Sequence, residues 1–254
     1  MNRLKGKTAV VFGGNGDIGG EIARAFVSEG ATVIPTGRNI TRLKKIIAHL
    51  KRAGNRWQEP IPVDVRSRSD IRALFRKIIR VYQNIDSVVC ASGIYLNKPA
   101  VTMKEKEWDK VIDVNLKGTL LVCQEAAHYM LKQQAGSIIT VGSLGSFVAL
   151  SNTTAYSVSK AGVVSLTQCL ASEWADKNVR VNCLVPGVFP TRLNKKALAM
   201  KGRVKNILRG IPARRLGSLT ELTGGAVFLA SDESSYVNGI SLPIDGGFLG
   251  FSGY

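Results

Sequence analysis

The chain has 254 residues, 45% of them hydrophobic, and its 35 Lys and Arg against 18 Asp and Glu give a formal net charge of +17. No apolar run reaches the roughly 18 residues of a membrane span, and the apolar run at residues 8–12 is too short for the core of a signal peptide. We therefore expect a soluble, cytoplasmic protein of one domain, residues 1–254, that does not enter a membrane. The positive charge suits an anionic substrate, an acidic protein or a nucleic acid, and it also suits a surface that simply faces water.

Cysteine and histidine are too few and too scattered to indicate a metal site or a disulfide framework. The cysteines form no C-x-x-C pair, and each lies within an apolar segment, where cysteine usually behaves as a small buried hydrophobic residue. Both histidines lie in helix-like polar stretches. The sequence therefore predicts unpaired, buried cysteines and no metal. The residues concerned are Cys90, Cys123, Cys169, Cys183, His49 and His128.

Short β-branched runs alternate with longer amphipathic stretches along the chain. The runs are almost continuously apolar, as expected of parallel strands covered on both faces, and the stretches repeat apolar residues at helical spacing. This alternation predicts an α/β fold: a single doubly wound Rossmann-type domain, with a seven-stranded parallel sheet, helices on both faces and ligands beyond the carboxyl ends of the strands. The predicted strands are 8–12, 32–36, 61–65, 87–91, 137–141, 179–184 and 240–244, and the predicted helices are 18–29, 40–53, 69–83, 105–133, 156–174 and 221–231.

The first predicted strand runs directly into a glycine-rich turn, residues 13–20, which opens the first predicted helix. Glycines permit a tight turn and let the backbone approach a pyrophosphate, while a helix N-terminus favours an anion. A glycine cluster alone is a weak signal, but its place between a strand and a helix is the context that dinucleotide binding requires. We therefore favour a dinucleotide-binding turn over an ordinary glycine-rich turn.

The second predicted strand leads into Arg38, at a place where such strands carry an acid when the dinucleotide is NAD. Because no acid is present, the guanidinium of Arg38 is suited to hold the 2′-phosphate of NADP through charge-assisted hydrogen bonds. The alternative is a surface arginine in a basic stretch. The sequence therefore favours NADP(H) as the cofactor and leaves NAD(H) open.

The fifth predicted helix begins at Tyr156 and carries Lys160 four residues later, so both side chains lie on one helix face. A tyrosine phenol titrates near pH 10, and a nearby ammonium lowers that pKa, which would make Tyr156 a general acid in reduction and a base in oxidation. Such a pair is often only a surface contact. It gains weight from Ser143, at the end of a strand thirteen residues upstream, whose hydroxyl can bind a substrate carbonyl or can be an ordinary turn serine.

Motifs over nearly the whole chain resemble those of the short-chain dehydrogenase/reductase family, in the family's order and spacing. They include the glycine turn and the trio Ser143, Tyr156 and Lys160. The resemblance implies a nicotinamide-dependent oxidoreductase that interconverts a carbonyl and an alcohol, assembled as a homotetramer or a homodimer. The further matching elements are Asp64, Val65, Asn115 within 114–118, Asn182, Val185, Pro186, Gly187, Gly239 and residues 245–247.

The same resemblance implies roles for individual residues. Tyr156 would be the acid/base, Lys160 would hold the nicotinamide ribose and lower the tyrosine pKa, and Ser143 would stabilise the carbonyl oxygen. Asn115 would position a water in the proton relay. The residues expected at the cofactor are Gly13, Asn15, Gly16, Asp17, Ile18, Gly19, Arg38, Asp64, Val65, Ala91, Gly93, Asn115, Tyr156, Lys160, Pro186, Gly187, Val188 and Thr191.

Three features depart from the family pattern. Phe12 replaces the threonine before the first glycine, and Asp17 replaces the middle glycine of the turn. An acid in the first helical turn suits the helix dipole, yet here it would lie beside a pyrophosphate. Residues 90–93 read Cys-Ala-Ser-Gly in place of Asn-Asn-Ala-Gly. None of these changes touches the proposed acid/base centre.

A basic segment gives one indication of the substrate. In related proteins a mobile lid over the substrate corresponds to residues of about 187–215, and here residues 191–215 carry nine basic side chains and no acidic one. Such a lid would attract an anionic substrate, unless the side chains merely face water. The basic residues are Arg192, Lys195, Lys196, Lys201, Arg203, Lys205, Arg209, Arg214 and Arg215.

The tail at residues 245–249 is similar to that of gluconate 5-dehydrogenase-like members of the family. Together with the basic lid it favours a small anionic oxo compound, such as a keto sugar acid, as the substrate. A 3-oxoacyl-carrier-protein reductase is the alternative within the family, and a cofactor-binding regulatory protein without catalysis is the alternative outside it. Nucleic-acid binding is not expected, because no recognised module or basic–aromatic interleaving is present.

Overall fold

The computed structural model describes residues 2–250, which contain one six-stranded parallel sheet. Residue 1 and residues 251–254, the two ends of the predicted domain, lie outside the described residues. The strands are β1 (Thr8–Phe12), β2 (Thr32–Thr36), β3 (Ser87–Cys90), β4 (Gly136–Val141), β5 (Val179–Pro186) and β6 (Ser241–Ile244). Their order across the sheet is β2-β1-β3-β4-β5-β6, and each neighbouring pair is parallel.

Helices connect the strands, since parallel neighbours require long crossovers. The α-helices are α1 (Asp17–Ser28), α2 (Ile40–Arg52), α3 (Arg68–Tyr82), α4 (Glu105–Ile112), α5 (Gly118–Gln133), α6 (Thr154–Trp174), α7 (Lys195–Leu198), α8 (Arg203–Arg209) and α9 (Leu219–Ala230). Short 3₁₀ turns occupy Ala100–Thr102, Leu144–Ser146, Ala175–Lys177 and Asp232–Ser234.

The central strands are apolar on both sides because helices cover both faces of the sheet. In β1 the side chains of Val10 and Phe12 belong to a core formed with α3, α5 and α6. Val11, which points to the opposite face, packs in a second core with Ile22 and Phe26 of α1 and with residues of α9. This two-sided burial confirms the α/β fold with helices on both faces.

The prediction of a seventh strand at residues 61–65 is wrong. This segment runs beside the outer edge of β2, where only Ile61 forms a bridge, opposite Thr36. The hydroxyl of Thr36 donates to the carbonyl of Ile61 at 2.8 Å, and the N–H of Val63 donates to Gly37 at 3.3 Å. Pro62 between them has no N–H, so a regular ladder cannot continue.

The prediction of one continuous helix over 105–133 is also wrong in detail. Residues Asp113–Lys117 form a π-helical segment between α4 and α5. Such segments are rare and occur frequently at functional sites, because the extra residue per turn changes the direction of a side chain. Asn115 is the central residue of this segment.

Burial is predicted correctly for three of the four cysteines. Cys90, Cys123 and Cys183 are buried, whereas Cys169 is exposed on the outer face of α6. The thiol of Cys90 contacts that of Cys123, and this hydrogen bond together with burial raises its pKa. All four are free thiols.

No helix within residues 2–250 is long and apolar enough to cross a membrane. No group of three or more His, Cys, Asp and Glu side chains in that range is arranged to hold a metal ion.

Candidate active site

The chain leaves β1 first toward β2 and later returns to β3 on the other side of β1. The connections at the carboxyl ends of β1 and β3 therefore run in opposite directions, and a crevice opens between them. The turn after β1 is packed tightly against the end of β3. Gly13 has a φ of +76°, and a Cβ atom there would lie 2.6 Å from the carbonyl carbon of Ala91. Only glycine fits at this position.

The glycine turn delivers the N-terminus of α1 to the crevice. The N–H of Gly16 donates to the carbonyl of Gly13 at 2.8 Å, which closes the turn. A side chain on Gly19 would overlap the same carbonyl of Gly13, so helix and turn lie in direct backbone contact. No side chain caps α1 at Gly16. The first amides of the helix are therefore oriented toward the crevice, where they favour an anion.

A cleft of about 730 Å³ follows from this arrangement. Its volume lies within the range of ligand pockets. The structure places twelve of the predicted cofactor residues in its wall: Gly13, Asn15, Gly16, Asp17, Ile18, Gly19, Arg38, Asp64, Val65, Ala91, Gly93 and Thr191. Residues that the sequence did not suggest complete the wall: Gly37, Asn39, Arg42, Val63, Ser92, Val114, Arg192 and Leu193.

The remaining predicted cofactor residues lie outside that wall. Pro186 is the last residue of β5, and the N–H of Gly187 donates to Ile244 at 2.9 Å. Val188 accepts a hydrogen bond from Gly217 at 3.0 Å and lines a smaller cavity of about 130 Å³. These residues anchor the beginning of the lid to the sheet.

Two guanidinium groups stand where β2 meets the cleft. Arg38 is exposed and makes no hydrogen bond or ion pair with any residue between 2 and 250. Arg42 lies in the first turn of α2, whose N-cap Asn39 accepts from the N–H of Arg42 at 2.9 Å. The sequence signal for Arg42 was its position four residues after Arg38, at the start of a helix that enters the same cleft.

Asp64 is held by a neighbouring arginine. Its carboxylate accepts from Arg66 at 2.6 and 3.1 Å, and this pairing holds the pKa of Asp64 below its usual value. The charge of Arg38 acts in the same direction. Val65, the next residue, packs so closely on Gly118 that a Cβ there would lie 2.7 Å from its methyl group.

Ser143, Tyr156 and Lys160 come together where β4 ends and α6 begins. Ser143 starts the short 3₁₀ turn after β4, and its hydroxyl accepts from the N–H of Gly145 at 3.2 Å. Tyr156 lies in the first turn of α6, where its half-buried phenol faces the hydroxyl of Ser143. Lys160 follows one turn later on the same helix face, as the spacing predicts.

The electrostatics of Tyr156 differ from the prediction. The sequence suggests that Lys160 lowers the pKa of Tyr156, whereas burial raises it, and the hydroxyl of Ser143 offsets only part of this effect. The Nζ of Lys160 lies 5.9 Å from the centroid of the tyrosine ring and donates to the carbonyl of Val141 at 2.7 Å. In this structure the phenol therefore keeps its proton well into the alkaline range.

Lys160 is a buried charge. Only 5% of it is exposed, and desolvation lowers the pKa of its ammonium to about 8. The side chain is an ammonium at neutral pH. Removing a charged group from water is unfavourable unless it is paired, and here the carbonyl of Val141 is its hydrogen-bond acceptor.

Asn115 clamps the loop after β3. Its side chain is fully buried, accepts from the N–H of Ile94 at 2.8 Å and donates to the carbonyl of Ile94 at 3.0 Å. It also donates to the hydroxyl of Ser159 at 3.0 Å. A Cβ on Gly93 would lie 3.4 Å from Asn115 and 3.7 Å from the Nζ of Lys160. The π-helical segment thus brings Asn115 beside Lys160.

Tyr95 is a residue of the site that sequence reasoning missed. Its ring meets that of Tyr156 edge to face, with the centroids 5.0 Å apart and the planes at 75°. Because Asn115 fixes the backbone of Ile94, the position of Tyr95 is set by the same clamp. The available signal was an aromatic residue two positions after Gly93, at the carboxyl end of a central strand.

The lid contains α7 and α8, and its nine basic side chains are all exposed. Arg192 pairs with Asp17 and Arg215 pairs with Glu221, while Arg214 donates to backbone carbonyls at the end of α8. Six lid cations have no carboxylate partner among residues 2–250: Lys195, Lys196, Lys201, Arg203, Lys205 and Arg209.

Comparison with known proteins decides the family. The family model described as enoyl-(acyl carrier protein) reductase matches residues 14–249. The 3-oxoacyl-acyl-carrier-protein reductase FabG of Thermotoga maritima is 38% identical over 97% of this chain and 99% of its own length. The chain belongs to the short-chain dehydrogenase/reductase family. It is an oxidoreductase with a nicotinamide cofactor and a small-molecule substrate.

Other members of the short-chain dehydrogenase/reductase family match this chain over a similar share of its length. The 2-dehydro-3-deoxy-D-gluconate 5-dehydrogenase of Dickeya dadantii is 34% identical over 97% of this chain and 96% of its own. The crystal structure of a gluconate 5-dehydrogenase from Burkholderia cenocepacia J2315, in complex with NADP and tartrate, superimposes with a TM-score of 0.93. It is 30% identical and covers 98% of this chain and 97% of that chain.

Three features of the cleft in this short-chain dehydrogenase/reductase fit a nicotinamide dinucleotide. Side chains at Gly13 and Gly19 would collide with backbone, so the turn is bare. The uncapped N-terminus of α1 favours an anionic diphosphate. Arg38 and Arg42 supply positive charge at the end of β2, where a phosphate on the adenosine ribose would lie.

Proposed function

We propose that the protein interconverts a ketone and a secondary alcohol with NADP(H), with Tyr156 as the general acid and base, and that its substrate is a small anionic oxo compound such as a keto sugar acid. The observation that carries the proposal is the grouping of Ser143, Tyr156 and Lys160 at the carboxyl end of β4. They lie beside the crevice where this fold binds ligands.

The bound cofactor would supply or accept the hydride. In reduction the phenol of Tyr156 donates its proton to the carbonyl oxygen, and in oxidation the phenolate takes the proton from the alcohol. The hydroxyl of Ser143, which faces the phenol, donates a hydrogen bond to the same oxygen and stabilises the charge that develops there. The raised pKa of Tyr156 keeps the phenol protonated, which suits reduction.

Lys160 and Asn115 support this centre. We propose that the ammonium of Lys160 binds ribose hydroxyls of the cofactor and stabilises a phenolate at Tyr156 when one forms. Asn115 is buried, holds the backbone of Ile94 from both sides and thereby orients the loop that carries Tyr95. We propose that it also positions a water in the proton relay, beside the ammonium of Lys160.

We expect the Arg38→Asp variant to lose ten- to a hundredfold in kcat/KM with NADPH and to change little with NADH. The substitution removes a charge-assisted donor and places a carboxylate where the 2′-phosphate would lie. Steady-state kinetics with both cofactors measure the effect. Arg56→Asp is the matched control, because Arg56 is exposed but outside the cleft. A native protein that uses NADH as well as NADPH would contradict the proposed preference.

The substrate proposal rests on charge and on the relatives. Six exposed lid cations that have no carboxylate partner among residues 2–250 give the lid surface a positive potential. A relative is named a 2-dehydro-3-deoxy-D-gluconate 5-dehydrogenase, and a solved gluconate 5-dehydrogenase holds tartrate, a dicarboxylate. A panel of keto sugar acids, keto sugars and acyl ketones with NADPH tests the substrate class directly.

Changing Lys195, Lys196 and Lys201 together to Ser should lower kcat/KM for an anionic ketone severalfold at low salt and leave kcat unchanged. The reason is that long-range attraction speeds encounter but not the chemical step, and salt screens it. Measurements at rising ionic strength with an anionic and a neutral substrate check this. Lys44→Ser and Lys45→Ser, on the exposed face of α2, are the control. An effect that salt does not diminish would exclude attraction as the cause.

A 3-oxoacyl-carrier-protein reductase remains the second candidate because the lid cations project into solvent, where an acidic protein surface could meet them. The FabG relative is 38% identical. The test compares one 3-oxoacyl group on acyl carrier protein and on a short thiol. A preference above tenfold for the protein-bound group that disappears at high salt would support this function over the keto sugar acid.

We further propose that residues 1–254 act as one catalytic domain with the lid at about 187–215, and that the active form is a cytoplasmic homotetramer or homodimer. The exposed Val158 on α6 is compatible with a helix face that a second copy covers. Sedimentation at working concentration distinguishes these assemblies from a monomer.

A further inference from the structure

One ion pair joins the lid to the glycine turn. The backbone N–H of Arg192 donates to the Oδ2 of Asp17 at 2.6 Å, and its Nε donates to the Oδ1 at 2.7 Å. The guanidinium also donates to the carbonyl of Asn15 at 3.2 Å. Within residues 2–250, these are the hydrogen bonds between the lid and the turn, and all of them come from Arg192. Both partners line the 730 Å³ cleft.

Asp17 is ionised in this environment. Partial burial raises its pKa, but the hydrogen bonds and charge of Arg192, together with the charge of Arg42, lower it further than burial raises it. The carboxylate therefore stands as a fixed negative charge at the N-terminus of α1. A diphosphate bound at the same N-terminus would be repelled by it unless a cation lies between them.

Within residues 2–250, Arg192 is the lid residue that bonds to Asp17, and its guanidinium lies against the turn whose bare backbone would receive the diphosphate. An exposed ion pair by itself contributes little to the stability of a fold. The hydrogen bond from the backbone N–H of Arg192 has a second effect. It holds the main chain of the lid at Asp17 even when the side chain of Arg192 moves.

We propose that Asp17 and Arg192 form a latch that closes the lid over the diphosphate of the cofactor. Asp17 holds the lid through the backbone of Arg192, and the guanidinium of Arg192 neutralises the charge of Asp17 beside the diphosphate. Asp17 and Arg192 are thus positioning residues, and the acid that replaces a glycine of the family turn becomes part of lid closure. The proposal rests on the proposed function, since it presumes a dinucleotide in the cleft.

The latch predicts an effect of charge on the affinity for NADPH that an ion pair with a purely structural role would not have. Arg192→Ala leaves the carboxylate of Asp17 facing the diphosphate, so the affinity for NADPH should fall ten- to a hundredfold. Asp17→Asn alone should change it less than threefold. In the double variant the repulsion is absent, and at least half of the logarithmic loss caused by Arg192→Ala should be recovered. Fluorescence titration of NADPH measures all four proteins.

The lid itself gives a readout that needs no cofactor. Trypsin cleaves after Lys and Arg, and the lid offers exposed sites throughout α7 and α8. Asp17→Ala removes no trypsin site and leaves the N–H of Arg192 without its side-chain acceptor, so faster cleavage in the lid of the free protein reports loss of the latch, with at least a threefold increase expected. Glu221→Ala is the matched control, because Glu221 pairs with Arg215 at the other end of the lid.

The outcomes separate the latch from the proposed function. If the native protein binds neither NADPH nor NADH, the proposed function fails, whereas faster cleavage of Asp17→Ala alone would still support the closure of the lid by Asp17. If Asp17→Ala is cleaved no faster than the native protein or than Glu221→Ala, the latch is overturned. Additive losses in the double variant would overturn the neutralising role of Arg192.

Discussion

Replacing Tyr156 with Phe should lower kcat for ketone reduction by about 10²- to 10⁴-fold, the usual contribution of a positioned general acid. The variant removes one hydroxyl and keeps the ring that meets Tyr95 edge to face. Binding of NADPH should change less than threefold, because the cofactor contacts proposed for the glycine turn, Arg38 and Arg42 remain. Stopped-flow measurement of single-turnover NADPH oxidation, together with fluorescence titration, separates the two effects.

The matched control is Tyr95→Phe, which removes a hydroxyl from the neighbouring ring. The Tyr95 hydroxyl accepts a hydrogen bond from the side chain of Asn97 and is not placed as the acid in our proposal. This control should keep reduction within about fivefold of the native rate. If Tyr156→Phe reduces the substrate as fast as the native protein, the acid/base role is wrong. If the native protein binds NADPH but shows no turnover on any carbonyl, the regulatory alternative gains support.

The features predicted from sequence are those encoded by local pattern. Apolar runs alternating with helical periodicity predicted five strands to within one residue at either end, and β5 extends two residues beyond its predicted end. The glycine turn was predictable because its glycines follow a strand and precede a helix. In the structure Gly13 packs against Ala91, where no side chain would fit. The spacing of Tyr156 and Lys160 predicted their common helix face.

The features that sequence missed depend on contacts between distant segments. The apolar run at 61–65 has the pattern of a strand, but whether it pairs depends on the edge of β2, where only Ile61 forms a bridge. The π-helical turn at Asn115 extends an otherwise regular helical pattern without a local marker. The pairing of Asp17 with Arg192 spans 175 residues, so the acid looked unfavourable when it was considered with its own helix alone.

The raised pKa of Tyr156 was also missed because it depends on how the folded chain surrounds the residue. Spacing shows that an ammonium is near, but it does not show how far each group is removed from water. In the structure desolvation acts on both members of the pair, raising the pKa of the phenol and lowering that of Lys160. Both shifts favour the neutral form of each group, although at neutral pH Lys160 still carries its proton.

Replacing Lys160 with Met should reduce kcat strongly and should also change how stability depends on pH. Burial lowers the pKa of Lys160 to about 8, whereas an unfolded chain has a value near 10.5. Between these values the unfolded state binds more protons, so the free energy of unfolding that Lys160 contributes rises with pH. The native protein should therefore gain up to about 3 kcal/mol relative to Lys160→Met between pH 8 and pH 10.5.

Urea unfolding of the cofactor-free proteins across this pH range measures the difference, and the loss in kcat should reach at least tenfold. The test is the change with pH of the difference in free energy of unfolding, and not the size of that difference. The reason is that the variant also leaves the carbonyl of Val141 without the donor that Lys160 provides. Lys44→Met is the control, since Lys44 is exposed on α2 and should follow the native curve. A pH-independent difference between native and Lys160→Met would mean that Lys160 titrates in the folded protein as it does in water, and the stabilisation of a phenolate by a desolvated ammonium would then have to be abandoned.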